Sequence, residues 1–352
     1  MKILHTADLH IRDADDERWN ALKGLLELGK KQGADVFVVS GDLFDAEADA
    51  DRLRPRIREL FSNTGLQILL LPGNHDMNAY RSGMYFGNDA VVLTDYTTPC
   101  EIGDVQFWGF PFEHLTDSEI LERVRTSAKA VQSDKTAVLL IHGELLDQFY
   151  SRHDFGDEGR DRYLPVRISY FKDAPFDYVL AGHFHTSFDV HRLKNGGFFV
   201  YPGSPISLTK KELGRRKVNL FEIGEPPGEL LLDTPHYEEV IVELDPIRAN
   251  DPGENVSRRL DALHPGAKVL LTVKGYIHAK DIGKNENDLA REIDRIGEAC
   301  AERRYEFRDV QSILDDEIFI KFNKKVGEKF QDEREKKALR EILLRAMIEA
   351  GI

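Results

Sequence analysis

Five short apolar runs punctuate the first half of the chain, and each ends on residues able to hold a metal ion. The runs are Ile3-Leu4, Val36-Phe37-Val38-Val39, Ile68-Leu69-Leu70-Leu71, Val138-Leu139-Leu140-Ile141 and Tyr178-Val179-Leu180-Ala181. Each is bounded by glycine, proline or charge, the pattern of strands buried on both faces. Between the first two, Trp19, Leu22, Leu25 and Leu26 recur at helical spacing on a segment ending near Gly33. Strands alternating with helices predict an α/β domain, a layered β-sandwich flanked by helices. Phe107–Phe110 and Phe198–Tyr201 read as further strands.

The chemistry follows the runs in order. Asp8-Leu9-His10 comes after the first and Gly41-Asp42 after the second. Gly73-Asn74-His75-Asp76 follows the third, His142-Gly143 the fourth and Gly182-His183-Phe184-His185 the fifth. In open α/β sheets ligands bind beyond the carboxyl ends of the strands, so these five strand ends are expected to converge on one site. Singly, each motif has a plain reading: Gly-Asp as a turn, Asn-His-Asp as a helix cap, a lone histidine as a core residue. Their ordered conjunction does not. Carboxylate, imidazole and amide oxygen without thiolate suit Mn²⁺, Fe²⁺ or Zn²⁺ rather than a structural zinc. On an extended segment Asp8 and His10 face the same side and can share an ion, as can His183 and His185. Seven ligands exceed what one ion takes, and a carboxylate such as Asp42 can bridge two ions about 3.5–4 Å apart. Two cations against two carboxylates leave a net positive pocket, which favours a phosphate ester.

Of the 352 residues 41% are hydrophobic, with a formal charge of −14. That charge argues against general polyanion binding, though bound cations change the field locally. No window approaches the roughly 18 apolar residues of a membrane helix. The N-terminus lacks the pattern of a secretory signal, and Cys100 and Cys300 are too few for a disulfide framework, so a cytoplasmic protein is expected.

A boundary is expected near Gly224–Gly228 or at Thr234–Pro235, dividing the chain into residues 1–235, 236–328 and 329–352. The middle part reads as a small α+β domain: strands over Glu239–Leu244 and Lys268–Lys274, a helix from Asn287 to about Arg303, and an extended Ile318–Phe322. A C-terminal helix from about Asp332 to Ala350 carries an apolar stripe of Leu339, Ile342, Leu343, Ala346 and Met347, which packs on its own domain or on a partner.

These motifs, D-x-H, G-D, G-N-H-D, H and G-H-x-H over residues 8 to 185, resemble the calcineurin-like metallophosphoesterase superfamily. Gly41-Asp42-Leu43-Phe44-Asp45, Tyr201-Pro202-Gly203-Ser204-Pro205 and Glu212-Leu213-Gly214 look like its DNA-repair nuclease branch, SbcD and Mre-eleven. The resemblance implies a metallophosphoesterase domain with an α+β capping domain, acting as a Mn²⁺-dependent exonuclease and endonuclease in double-strand-break repair. It implies that Asp8, His10, Asp42 and His185 bind one ion and Asp42, Asn74, His142 and His183 the other. His75 would be the catalytic acid, with Asp76 orienting it or capping a helix. Position 45 is Asp, as in many bacterial members of the branch, where archaeal relatives often have histidine. The implied partners are DNA, a coiled-coil ATPase of the SbcC or Rad-fifty type, and a second copy of the chain. Among basic residues, Lys210, Lys211, Arg215, Arg216 and Lys217 are the better candidates for DNA phosphates, while Arg52, Arg54, Arg56 and Arg58 split over two helical faces. The polar loop Ser151–Arg162 is expected near the site, with His153 not a ligand. Two alternatives are open: a phosphatase or phosphodiesterase for a nucleotide or small substrate, and a scaffold with a degenerate site.

Overall fold

Apolar runs without a polar face need cover on both sides, and here a second sheet lies on one side and helices on the other. The structure, a computed structural model, describes residues 1–81, 83–147, 164–246 and 251–350. It divides into two compact units, Met1–Tyr237 and Glu238–Ile352.

The strands of the first unit begin with β1 (Lys2–Thr6), β2 (Val36–Ser40), β3 (Gln67–Leu71), β4 (Ala90–Val92), β5 (Cys100–Ile102), β6 (Val105–Phe110) and β7 (Thr136–His142). They continue with β8 (Glu144–Leu145), β9 (Pro165–Val166), β10 (Tyr178–Gly182), β11 (Asp189–Arg192), β12 (Phe198–Tyr201), β13 (Lys217–Glu222) and β14 (Glu229–Leu231). Two six-stranded sheets form, ordered β14-β13-β1-β2-β3-β4 and β11-β12-β10-β7-β6-β5. β1 to β4 run parallel to one another, as do β6, β7, β10 and β12. All the motif-bearing strands therefore end on the same edge of their sheet. β13 lies antiparallel beside β1.

Side-chain alternation sorts the strands into layers. Ile3, Val36, Val38, Leu69 and Leu71 pack between the sheets against Phe107, Val138, Leu140 and Leu180. Their sequence neighbours Leu4, Phe37, Val39, Ile68 and Leu70 turn outward onto Trp19, Leu22, Leu25, Leu53 and Ile57. Those five belong to α1 (Glu17–Gln32) and α2 (Glu47–Leu60). On the other flank Leu139, Ile141 and Val179 meet Ile120 and Val124 of α3 (Asp117–Ala130). The result is the expected layered α/β sandwich. Local signals fix the helix starts: Asp16 accepts the N–H of Trp19 at 2.8 Å, and Thr116 with Glu119 forms a capping box.

In the second unit β15 (His236–Leu244), β16 (Ala267–Ile277) and β17 (Glu302–Asp309) form a three-stranded sheet in that order. Val242, Leu271 and Val273 pack on Val256, Leu289 and Ile293 of helices Pro252–Asp261 and Glu286–Ile296. Three expectations are corrected here. The helix expected to reach Arg303 stops at Ile296, and the charged stretch after it is β17, paired parallel with β16. Ile318–Phe322 is not extended but lies in a helix, Glu317–Lys329. Asp316 caps it by accepting the Ile318 N–H at 2.7 Å, and Phe319 and Val326, two turns apart, are its buried residues. The C-terminal helix, Glu333–Ala350, buries Leu344 and Met347 and leaves Ile342 exposed, so its packed stripe is rotated from the expected one. Among the described residues no helix is long and apolar enough to cross a membrane.

Candidate metal centre

The site is built where β1, β2 and β3 of one sheet and β7 and β10 of the other end. The loops leaving β1 and β2 are laced together: Asp8 N–H donates to Gly41 O at 3.1 Å, and His10 N–H to Asp42 O at 3.0 Å. Asp8, His10, Asp42 and His183 all have left-handed φ, at 56°, 49°, 51° and 96°. Such a conformation costs a non-glycine residue about 1–3 kcal/mol and persists only where the surroundings impose it. Asp8 and His10 thus come together through kinked backbone rather than through the pleat of an extended segment. Two glycines make room. A Cβ on Gly41 would lie 2.0 Å from His142 Nδ1, and one on Gly73 2.1 Å from Asp42 Oδ1.

The side chains converge as their positions at the strand ends suggested. Asp42 Oδ2 lies 3.1 Å from His142 Nε2 and 3.6 Å from His10 Nε2, between the two rings. Asn74 Oδ1 is 2.9 Å from His142 Nε2, and His185 Nε2 is 3.7 Å from Asp8 Oδ1. The His183 ring stands edge-on to His142 at 5.3 Å, and the His183 backbone N–H donates to Asp8 at 3.0 Å. Asp8, His10 and His185 can each offer an atom within 4.8 Å of the others, and so can Asp8, Asp42 and His142. All six charged or imidazole members are buried; Asn74 and His75 are half-buried.

The electrostatics match the donor set. Burial raises the Asp8 carboxyl above its ordinary range, against the pull of His185 and His142. Burial would raise Asp42 too, but His142, His10 and His75 hold it well below the carboxylate range. Burial disfavours charge on His142, yet Asp42 and Asp8 push it up to about 10. The field that would keep a proton on that buried ring is the field that would hold a cation in its place. Buried carboxylates need such a counter-charge, and two divalent ions held by these seven side chains would provide it.

Residues 1–187 match the model of a family described as calcineurin-like phosphoesterase. The chain belongs to that family. The family's description is that of phosphoesterases, and the His/Asp clusters are this chain's candidate metal-binding residues. Among solved structures it is similar to that of Haemophilus influenzae NAD nucleotidase, with 13% identity and a TM-score of 0.38. The match covers 85% of this chain and 60% of that one, so the chain spans less than two thirds of that structure's length. A likeness of that size carries no argument about substrate.

His75 of this phosphoesterase sits at the edge of the cluster. Its backbone N–H donates to Asp42 Oδ1 at 2.9 Å, and its Nδ1 lies 3.0 Å from the Asp45 carbonyl. Asp76 stands at the N-cap of the short 3₁₀ helix Met77–Tyr80, as one alternative had it, but its side chain makes no capping bond there and is engaged elsewhere. Its oxygens accept the N–H groups of Gly73 and Phe44 at 2.9 and 3.1 Å and the Tyr80 hydroxyl at 3.1 Å, tying the loops after β2 and β3 together. Burial and Asp42 raise the Asp76 carboxyl to about 6. Of the basic residues, Lys210 and Lys211 are exposed, while Arg215 is paired with Asp233 at 2.7 Å. Arg216 is corrected as a phosphate contact: it is buried, and its guanidinium donates to the carbonyls of Ser204, Thr186 and His185. Arg52 and Arg54 are spent on Asp49 and Asp51. The loop Ser151–Arg162, with His153, lies outside the described residues.

Sequence reasoning missed three supports. Ser40 O meets His142 Nδ1 at 2.8 Å, Glu212 faces His185, and Asp45 faces His10. Burial would raise Asp45, but His10 and Arg12 hold it well below the carboxylate range; burial likewise opposes the lowering of Glu212 by His185. The runs Gly41–Asp45 and Glu212–Gly214 flagged both acids without giving them a role.

Proposed function

We propose that this phosphoesterase is a phosphodiesterase acting on DNA, with Mn²⁺ as its working cation. The observation that carries the hydrolytic chemistry is the position of Asp42, whose one carboxylate faces both His10 and His142. In this reading Asp42 would be shared by two ions, one that Asp8, His10 and His185 would hold and another that Asn74, His142 and His183 would hold. When bound, the two cations supply Lewis acidity toward the phosphoryl oxygens and activate water for in-line attack. His75 has its Nδ1 at the Asp45 carbonyl and its ring 4.7 Å from that of His10. As an imidazolium it stabilises the developing charge and gives its proton to the leaving oxygen. What supports DNA is resemblance: the runs Gly41–Asp45, Tyr201–Pro205 and Glu212–Gly214, and a second unit of α+β type. The exposed Lys210 and Lys211 are the phosphate contacts in this reading. The coiled-coil ATPase and a second copy as partners are supported by the same resemblance alone.

The test is a panel with Mn²⁺: linear duplex, hairpin and single-stranded DNA, a generic phosphodiester, and a nucleotide. Cleavage of DNA is expected. Hydrolysis of the generic ester or the nucleotide with no DNA cut overturns the nuclease reading in favour of a small phosphoester substrate. Metal bound with no hydrolysis of any kind favours a scaffold.

A further inference from the structure

Three of the metal-facing histidines present Nε2 inward; two have Nδ1 against a carboxylate and the third against a backbone carbonyl. His185 Nε2 faces Asp8, and its Nδ1 lies 3.4 Å from Glu212 Oε1. His10 Nε2 faces Asp42, and its Nδ1 lies 3.5 Å from Asp45 Oδ1. His142 Nε2 also faces Asp42, but its Nδ1 meets the neutral carbonyl of Ser40 at 2.8 Å.

The two backing acids are themselves fixed. Glu212 is fully buried and accepts the Leu208 N–H at 2.7 Å and the Ser204 hydroxyl at 3.3 Å. Asp45 is gripped by Arg12 at 2.8 Å and Arg18 at 3.1 Å, one on each oxygen. His10, Asp45 and His75 also lie within 4.8 Å of one another and invite reading as a third cation site. The two arginines argue against that, because they already supply the positive charge Asp45 needs. Its carboxylate is left to orient His10, and its carbonyl to orient His75.

The geometry points to Glu212 and Asp45 as positioning residues that fix His185 and His10 with Nε2 toward the metal, making the Asp8–His10–His185 cluster the tighter of two cation sites. The inference rests on the two-cation reading above. A carboxylate behind an imidazole sets its tautomer and raises its basicity as a ligand, and losing such a partner costs about 10–100-fold in metal affinity. The other cluster has weaker donors: Asn74 is a neutral amide, and His142 is backed by a neutral carbonyl. The shared Asp42 serves both. The tighter cluster fills first, and the second ion completes the site only at higher free cation.

The experiment is a Mn²⁺ titration of the full chain, followed by the paramagnetic resonance signal of the free ion. Two ions per chain in two affinity classes are expected. Glu212→Gln and Asp45→Asn should each weaken the tight class by about tenfold or more, with the weak class little moved. Asn74→Ala should do the reverse. Both amide variants keep an oxygen for the Leu208 N–H or the arginines, and melting of the metal-free proteins checks the fold; if one variant fails to fold, the other decides. Equal weakening of both classes, no weakening, or an Asn74→Ala effect on the tight class overturns the assignment. One ion per chain in the unsubstituted protein instead overturns the two-cation reading itself.

Discussion

Four residues with left-handed backbone, Asp8, His10, Asp42 and His183, are also four of the metal-facing side chains. The sequence displayed their types and order but not this conformation, because φ at Asp8 depends on a bond to Gly41, far along the chain. The glycines beside them were readable as turns, and their real constraint is space. Gly41→Ala should push His142 out of place, lowering bound metal and abolishing most hydrolysis, as checked by metal analysis and initial rates. His75→Ala should instead leave metal content unchanged and lower kcat by about 10²–10⁴-fold; metal loss equal to the rate loss would sink the proposed role. His5 offers a pH test away from the ligands. It is fully buried beside Asn219, and burial lowers it from 6.5 to about 3. A depressed folded value means the ring's neutral form is favoured, so stability is full above about pH 6.5 and falls as pH drops toward 3. In metal-free protein, His5→Leu should gain on the unsubstituted chain by up to ~1.4 kcal/mol per pH unit across that window. Calorimetry at pH 7.5 and near pH 5 checks it, and a constant difference refutes it.

At the scale of elements, what the sequence shows best is whatever is buried on both faces. β2 and β10 are buried along their whole length, so their composition had no second interpretation. β17 was opaque for the opposite reason: Glu302–Asp309 is mostly charged, and it is a strand because β16 offers a parallel partner. Glu317–Lys329 misled in another way. Ile318, Phe319 and Ile320 alternate in burial as a strand would, and only Val326, seven residues beyond Phe319, reports the helical period. Phe319 packs with Leu344 and Met347, whereas Ile320 is 54% exposed. Phe319→Ala should therefore cost about 3–5 kcal/mol, and Ile320→Ala no more than the ~0.5 kcal/mol usual at surfaces. Denaturant unfolding of the two variants is the check.

For the whole molecule, the seven side chains proposed to hold metal all belong to the unit Met1–Tyr237. Saturating Mn²⁺ should raise the melting of that unit alone, by about 2.7 kcal/mol at a hundredfold excess over Kd. Calorimetry should show one transition moving on chelation and one staying; a common shift would contradict it. The same topology has a consequence for synthesis. β1, which leads into the loop bearing Asp8 and His10, is flanked by β2 and by β13, and β13 is made only at Lys217–Glu222. A nascent chain that has just released His185 owns every metal-facing side chain, yet β1 still shows a bare edge and Glu212 has not been made. The stretch that bears the family signature is thus shorter than the stretch that completes the sheet of β1, whose second neighbour comes from a segment that contributes no candidate ligand.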